Sequence, residues 1–330
     1  MKLLDRGEFQ IIDYLKGQGQ TAPGLVKGIG DDCAVISVSP GEQLLTTTDL
    51  LVESVHFDRS WTDMSRLGRK AVSVNVSDLA AMGARPRFLF LSLAIPDNLS
   101  IEDLDQLLAG FLQAAEDYGA VLSGGDTCRS AGGLALSVTA QGSAPVSTWI
   151  PRDGAAAGDE IYVTGTLGDS ALALQKLSNK SDPDPFLLGR HLDPTARVAT
   201  GLALSSAKIP TAMIDISDGL LGDLQHILNG SDVGATVTLG QLPLSSAFRE
   251  ELETDGGLVD LALSGGEDYE LLLTAPPGAE EVIGQIAEET GVPITRIGRI
   301  NGASGEMKVL GPDGEITLPS TFGYKHFHGE

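Results

Sequence analysis

Apolar positions recur along this chain with two periods, and the changes of period mark its elements. A short amphipathic helix is expected through Phe9, Ile12 and Leu15. Strands are expected over 33–38 and 43–49, with the turn Ser39-Pro40-Gly41-Glu42 joining them as a hairpin. A long helix over 63–82 leads to a strand over 88–95. A helix from 100, carrying Ile101, Leu104, Leu108, Phe111 and Leu112, then precedes strands over 120–122 and 134–140. The stretch 145–158 is rich in Pro, Gly and Ala and loses all periodicity. Beyond it the pattern restarts with a strand over 160–164, several helices, a strand over 212–216, a helix over 219–228, a strand over 271–274 and a last helix through Val282, Ile286 and Ala287. Strands and helices alternate in both halves, which predicts an α/β (α+β) class with two domains, 1–148 and 149–330.

Length and composition agree with two self-supporting cores, since the chain has 330 residues of which 42% are hydrophobic and 20% charged. The longest apolar run, over 88–95, is far short of the ~20 residues that span a bilayer. Cys33 and Cys128 show no CxxC spacing, so neither a disulfide framework nor a zinc site is expected, and a cytoplasmic protein fits best. The net charge of −23, from 45 acidic and 22 basic residues, argues against nucleic acid and anionic membranes as partners. An acidic surface can also serve solubility alone, so the positions of the carboxylates have to decide.

Some acids lie among polar neighbours, as Glu250, Glu251 and Glu253 do. Others follow apolar segments: Asp31 and Asp32 before Cys33-Ala34-Val35-Ile36, Asp49 closing the strand from Leu44, Asp126 after Ala120-Val121-Leu122, and Asp215 with Asp218 around Ile214 and Ile216. Strand ends point at one rim of a sheet, where α/β proteins bind ligands. In the long helix, Met64, Leu67, Ala71, Val74, Asn75, Asp78 and Met82 share one face. Asp78 therefore lies on an apolar stripe, where it either binds a cation or ends the helix in solvent or in an ion pair. Grouped carboxylates without clustered His or Cys favour a hard, oxygen-liganded ion such as Mg²⁺. The five histidines are scattered, and His326 with His328 reads as ordinary surface.

No Gly-Lys dipeptide, GxGxxG run or protein-kinase catalytic loop occurs, which excludes the common nucleotide cradles. The turns Gly124-Gly125-Asp126-Thr127 and Gly165-Thr166-Leu167-Gly168-Asp169-Ser170 are candidates for holding phosphates through exposed backbone N–H groups, or are plain connections. A Ser-Gly-Gly-acid string occurs at 123–126 and again at 264–267, by chance or as a related turn in both halves.

The ordered motifs GIGDD, TTTD, VxxxHF, NVSDLAAMGA, SGGDT, TGTLGDS, IDISDGL and SGGEDYEL, spread from about residue 8 to 327, make the chain similar to the thiamine-monophosphate kinase family. The resemblance implies a two-domain fold like that of aminoimidazole ribonucleotide synthetase, with N-terminal domains pairing across a homodimer. It implies transfer of the γ-phosphoryl group of ATP to thiamine monophosphate, with several Mg²⁺ ions as cofactors. Carried over by motif, Asp32, Thr47, Thr48, Asp49, Asp78, Asp126, Asp215 and Asp218 match metal positions, with Asp49, Asp126 and Asp218 central to catalysis. Gly125, Asp126, Arg152 and Ser217 match nucleotide positions, and His56, Glu267 and Tyr324 match the acceptor site. Arg152, as a loop arginine, also reads as surface. Tyr324 belongs with Phe322 and Phe327 to an aromatic tail that either docks on the core or, at Tyr324, stacks on the thiamine rings. Related synthetases of the same architecture and an acidic cation-binding protein without turnover are the competing readings. The absence of a Cys before Gly28 weighs against a selenophosphate synthetase.

Overall fold

The computed structural model describes residue 17, residues 21–29 and residues 33–315. The expected first helix, Asp31, Asp32 and the tail with Phe322, Tyr324, His326, Phe327 and His328 lie outside the described residues. The chain forms two compact units, 1–79 with 84–147, and 80–83 with 148–330.

Among the described residues, the first unit is built on a four-stranded sheet and two helices, with a separate pair of short strands. The strands of the sheet are β3 (Glu42–Val52), β4 (Arg85–Pro96), β5 (Val121–Ser130) and β6 (Ala135–Pro145), in the order β3-β6-β4-β5. Only β4 and β5 run parallel. Burial alternates along β6, where Leu136, Val138 and Ala140 are enclosed, so one face of the sheet is covered. Helices α1 (Met64–Ala81) and α2 (Ile101–Asp117) supply much of the core beside it, with Leu67, Ala71, Leu104 and Phe111 fully buried. Ser100 caps α2 by accepting the Asp103 N–H at 3.0 Å. The two helix backbones touch at Gly68 and Gly110, since a Cβ on either would strike the Leu107 or the Ser65 carbonyl.

The expected hairpin does not form. The short strand β2 (Val35–Ile36) pairs instead with β1 (Leu25–Lys27), while β3 pairs along its whole length with β6. The turn at Ser39–Glu42 is present, with Gly41 at φ 84°, but a turn fixes only a change of direction and not the partner of the strands that flank it.

Among the described residues, the second unit holds a seven-stranded sheet in the order β13-β12-β9-β11-β7-β10-β8. Its strands are β7 (Glu160–Thr164), β8 (Ala212–Asp215), β9 (Gly234–Thr238), β10 (Leu271–Ala275), β11 (Ile294–Asn301), β12 (Met307–Gly311) and β13 (Gly314–Glu315). Successive residues feed opposite cores: Ile161, Val163, Ile214 and Leu272 pack in one, and Tyr162, Met213, Leu271 and Leu273 in the other. The helices are α3 (Asp169–Ser178), α4 (Pro185–Leu192), α5 (Val198–Ala207), α6 (Leu220–Ser231), α7 (Ser246–Thr254), α8 (Val259–Ser264) and α9 (Glu280–Thr290). Leu221, Leu224 and Ile227 of α6 lie in the first core, and Leu204 of α5 with Ile283 and Ile286 of α9 in the second. No helix among the described residues is long and apolar enough to cross a membrane.

Candidate active site

In the first unit, β3 and α1 bring four of the expected polar residues together. Thr47, Asp49 and Leu51 lie opposite Ala140, Val138 and Leu136 and so occupy the covered face of the sheet. The Thr47 hydroxyl donates to Asp78 Oδ2. The Asp49 N–H donates to Asn75 Oδ1 at 3.1 Å, and the Asn75 amide is oriented by donating to the Ala71 carbonyl at 2.9 Å. Burial, and then the nearby Asp78 carboxylate, push the Asp49 carboxyl up to about 6. Two carboxylates that repel each other beside a hydroxyl form an all-oxygen donor set suited to a hard divalent cation.

Thr48 and Asp126 lie on the opposite face. The Thr48 hydroxyl donates to the Val138 carbonyl at 3.1 Å and accepts from Thr139 at 3.1 Å. Asp126 is exposed on β5, the edge strand farthest from β3, in register with Ser92 of β4. Neither Asp49 nor Asp126 closes its strand, because β3 runs on to Val52 and β5 to Ser130. The run Gly124–Thr127 is likewise no turn before a helix. It is paired strand, with Ser123 bulged out between the partners of Leu89 and Phe90. Gly125 is required there, since it has φ 150° and a Cβ would drive into the Leu91 carbonyl. Nearby in sequence, His56 accepts the Val52 N–H on Nδ1 at 3.0 Å.

In the second unit, the IDISDGL and SGGEDYEL motifs lie side by side. Asp215 ends β8 in register with Leu271 of β10, and the Ser217 carbonyl accepts the Glu267 N–H at 2.8 Å. Asp223 was not among the expected site residues. Its Oδ2 accepts the N–H groups of Ser217, Asp218 and Gly219, each at 3.1 Å, and so shapes the turn that presents Asp218. Burial and the Asp218 charge push the Asp223 carboxyl up to about 7. Asp218, Asp223 and His226 offer ligand atoms within 4.8 Å of one another. The signal was available: Asp223 lies on the apolar stripe of Leu220, Leu224 and Ile227, as Asp78 does on its own helix. Arg152 is exposed, and its carbonyl lies beside Gly230 near the far end of α6 from Asp218. Twelve residues at ~1.5 Å each make α6 about 18 Å long, so the Arg152 backbone lies toward the opposite end of that helix from Ser217.

The TGTLGDS turn is not a phosphate cradle. The N–H groups of Gly165, Leu167 and Gly168 are committed to the Pro293 and Pro243 carbonyls and to Asp268 Oδ2, and the buried Asp169 opens the helix that follows. The echo between the two Ser-Gly-Gly-acid strings also fails, because the first is strand and the second joins α8 to β10. Beneath the second lies a buried ionic group that the sequence did not reveal. Arg190 Nη2 donates to Glu270 Oε1 at 2.7 Å and to the Asp268 carbonyl at 2.8 Å, Arg197 forks onto both Glu270 oxygens, and Ser245 donates to Asp169 at 2.6 Å. Asp268 is pushed up to about 8, chiefly by burial.

Family models for the AIR synthase related protein match the chain over residues 30–144 (N-terminal domain) and 156–309 (C-terminal domain). The chain is 40% identical to thiamine-monophosphate kinase of Haemophilus influenzae over 97% of its own length and 98% of the relative's. Its fold matches a crystal structure of thiamine-monophosphate kinase from Stenotrophomonas maltophilia with a TM-score of 0.84 and 40% identity, covering 94% of this chain and 97% of the other. A structure described as AaThiL complexed with AMPPCP and TMP matches with a TM-score of 0.76 and 36% identity over 99% of each chain.

Proposed function

The chain belongs to the thiamine-monophosphate kinase family and phosphorylates thiamine monophosphate with ATP, and from that premise we propose that it does so by direct in-line transfer assisted by Mg²⁺. The observation that carries this reading is the convergence of Thr47, Asp49 and Asp78, with Asp49 raised to about 6 beside a like charge. Such a group gains from a cation and has little use as a surface feature. Asp49, Asp78 and Thr47 are assigned to one metal position, with Asp32, Thr48, Asp126, Asp215 and Asp218 contributing to others. Mg²⁺ held by these residues would supply positive charge to offset the negative charge of the phosphates and of the transfer.

The acceptor oxygen of thiamine monophosphate is already ionised at neutral pH, so no side chain has to remove a proton from it. The residues have only to position two anions. Gly125 allows close backbone approach to the nucleotide, while Ser217 and Arg152 contact separate parts of it. His56, whose ring is oriented by the Val52 N–H on Nδ1, contacts the acceptor. Glu267 and Tyr324 hold the thiamine moiety.

Asp49 and Asp126 lie on opposite edge strands of one four-stranded sheet, about 14 Å apart at ~4.8 Å per strand, too far to share a cation within one copy. Leu44 and Leu50 are 40% and 54% exposed on its open face. Both features support a homodimer paired through this sheet. The two free thiols, Cys33 and Cys128, suit a cytoplasmic setting. Incubation with ATP, Mg²⁺ and thiamine monophosphate should yield thiamine diphosphate and ADP in equal amounts. ATP chiral at the γ-phosphorus should be transferred with inversion, and retention would contradict direct transfer.

A further inference from the structure

We infer that His191 is a positioning residue for acceptor recognition, acting by fixing the carboxylate of Glu267. The inference rests on the reading that Glu267 contacts thiamine monophosphate. His191 lies in α4, one turn after the buried Leu187, and is itself 3% exposed. Asp184 caps that helix by accepting the Phe186 N–H at 2.8 Å, so the imidazole is delivered from a short but well-anchored element.

His191 Nδ1 lies 3.2 Å from Glu267 Oε2 and 3.0 Å from the hydroxyl of the fully buried Ser170. An ionised carboxylate can only accept. A proton on Nδ1 therefore faces the ionised Glu267 carboxylate and the Ser170 oxygen together, and it is this ion-pair contact that ties Glu267 to His191.

The backbone of Glu267 is already determined. It takes φ 67°, in the left-handed region that a side chain disfavours, and Tyr269 takes φ 50°. The loop is kept there by the Glu267 N–H on the Ser217 carbonyl and the Tyr269 N–H on the Ile216 carbonyl, each at 2.8 Å. The Glu267 side chain has three further torsions, and the contact with His191 restrains its direction. Its side chain is 24% exposed while the imidazole is 4% exposed, so one oxygen is tied inward and the group still reaches the surface. A carboxylate held in this way presents a fixed acceptor to a cationic ring or an amino group, both of which thiamine carries. Such pinning lowers the ordering cost of binding and leaves the transferring phosphoryl group untouched.

The test compares His191→Phe, His191→Gln and His191→Asn with Glu267→Gln in the full-length enzyme. An Asn amide nitrogen can take the place of Nδ1–H, whereas a Gln amide reaches toward the Nε2 position. His191→Phe and His191→Gln should raise KM for thiamine monophosphate roughly tenfold, with kcat and KM for ATP within about twofold of the wild type. His191→Asn should restore KM to within about threefold. If the Phe variant does not fold, the Gln and Asn pair still decides the matter. Equal KM values for Gln and Asn, or a loss shared by kcat and both KM values, would overturn the positioning role. Should Glu267→Gln raise KM while every His191 variant binds normally, the acceptor role of Glu267 stands and this inference fails. Should Glu267→Gln bind the acceptor normally, the reading of Glu267 fails and the inference with it.

Discussion

Around β3, Asp49 and Asp78 meet beside a threonine hydroxyl and an asparagine amide, half-buried and repelling each other. Under the loop before β10, Asp169, Asp268 and Glu270 lie deeper, yet Arg190 and Arg197 grip Glu270 from two sides and Arg190 also stands beside Asp169. The same residue types are thus used in two ways. Carboxylates gripped by guanidinium groups hold a loop in place, whereas carboxylates close enough to raise one another's proton affinity favour an added cation. Burial alone does not separate these roles, since the structural group is the more buried of the two. The identity of the neighbours does.

The contrast can be broken most severely from the structural side. Glu270→Ala leaves Arg190 and Arg197 facing an empty buried pocket, and stability should fall by about 3–5 kcal/mol, read from urea unfolding. An unchanged unfolding midpoint would mean that the arginines are not held by Glu270. On the catalytic side, Asp49→Asn should lower kcat more than tenfold at saturating Mg²⁺ without lowering the melting temperature. Asp126→Asn should behave alike, and wild-type turnover in either would remove that residue from the metal assignment.

A third test uses pH. Burial pushes the Asp268 carboxyl up to about 8 in the folded protein, against 3.8 as its ordinary value. Between those limits the folded protein holds a proton there that the unfolded chain has lost. The group's contribution to stability is therefore full below pH 4, falls as pH rises by up to about 1.4 kcal/mol per unit, and levels off above 8. Asp268→Asn should flatten that slope between pH 5 and 7, and a slope equal to the wild type would show that Asp268 ionises freely. The smallest effect belongs to Arg152→Ala, which should raise KM for ATP several-fold, by roughly the loss of one charge-assisted hydrogen bond, with KM for thiamine monophosphate unaltered. A change in the acceptor KM instead would move Arg152 out of the nucleotide site.

Much of the fold could be read from periodicity. The helix expected over 63–82 is Met64–Ala81, and the strand expected over 88–95 is Arg85–Pro96. Asp78 stood out because it broke an apolar stripe, and the structure sets it against Thr47. Strand partners were not legible, because β3 pairs with β6 across some 90 residues and local sequence carries no record of that choice. The ends of β3 and β5 were misjudged for a related reason: a carboxylate reads as the end of an apolar run, but a strand continues wherever its backbone finds a partner. The buried acids of the SGGEDYEL loop stayed hidden because their partners, Arg190 and Arg197, lie 73 to 80 positions away. Asp223 and His191 could have been found, since each interrupts an apolar helical stripe just as Asp78 does.

The central claim is that Asp49 and Asp78 hold the cation on which phosphoryl transfer depends. It is tested most directly by titrating Mg²⁺ against the rate of thiamine diphosphate formation in the wild type, Asp49→Asn and Asp78→Asn, with ATP and acceptor saturating. Both variants should need at least about tenfold more Mg²⁺ for half-maximal rate and reach a lower plateau. Superimposable Mg²⁺ curves for all three proteins would contradict the account.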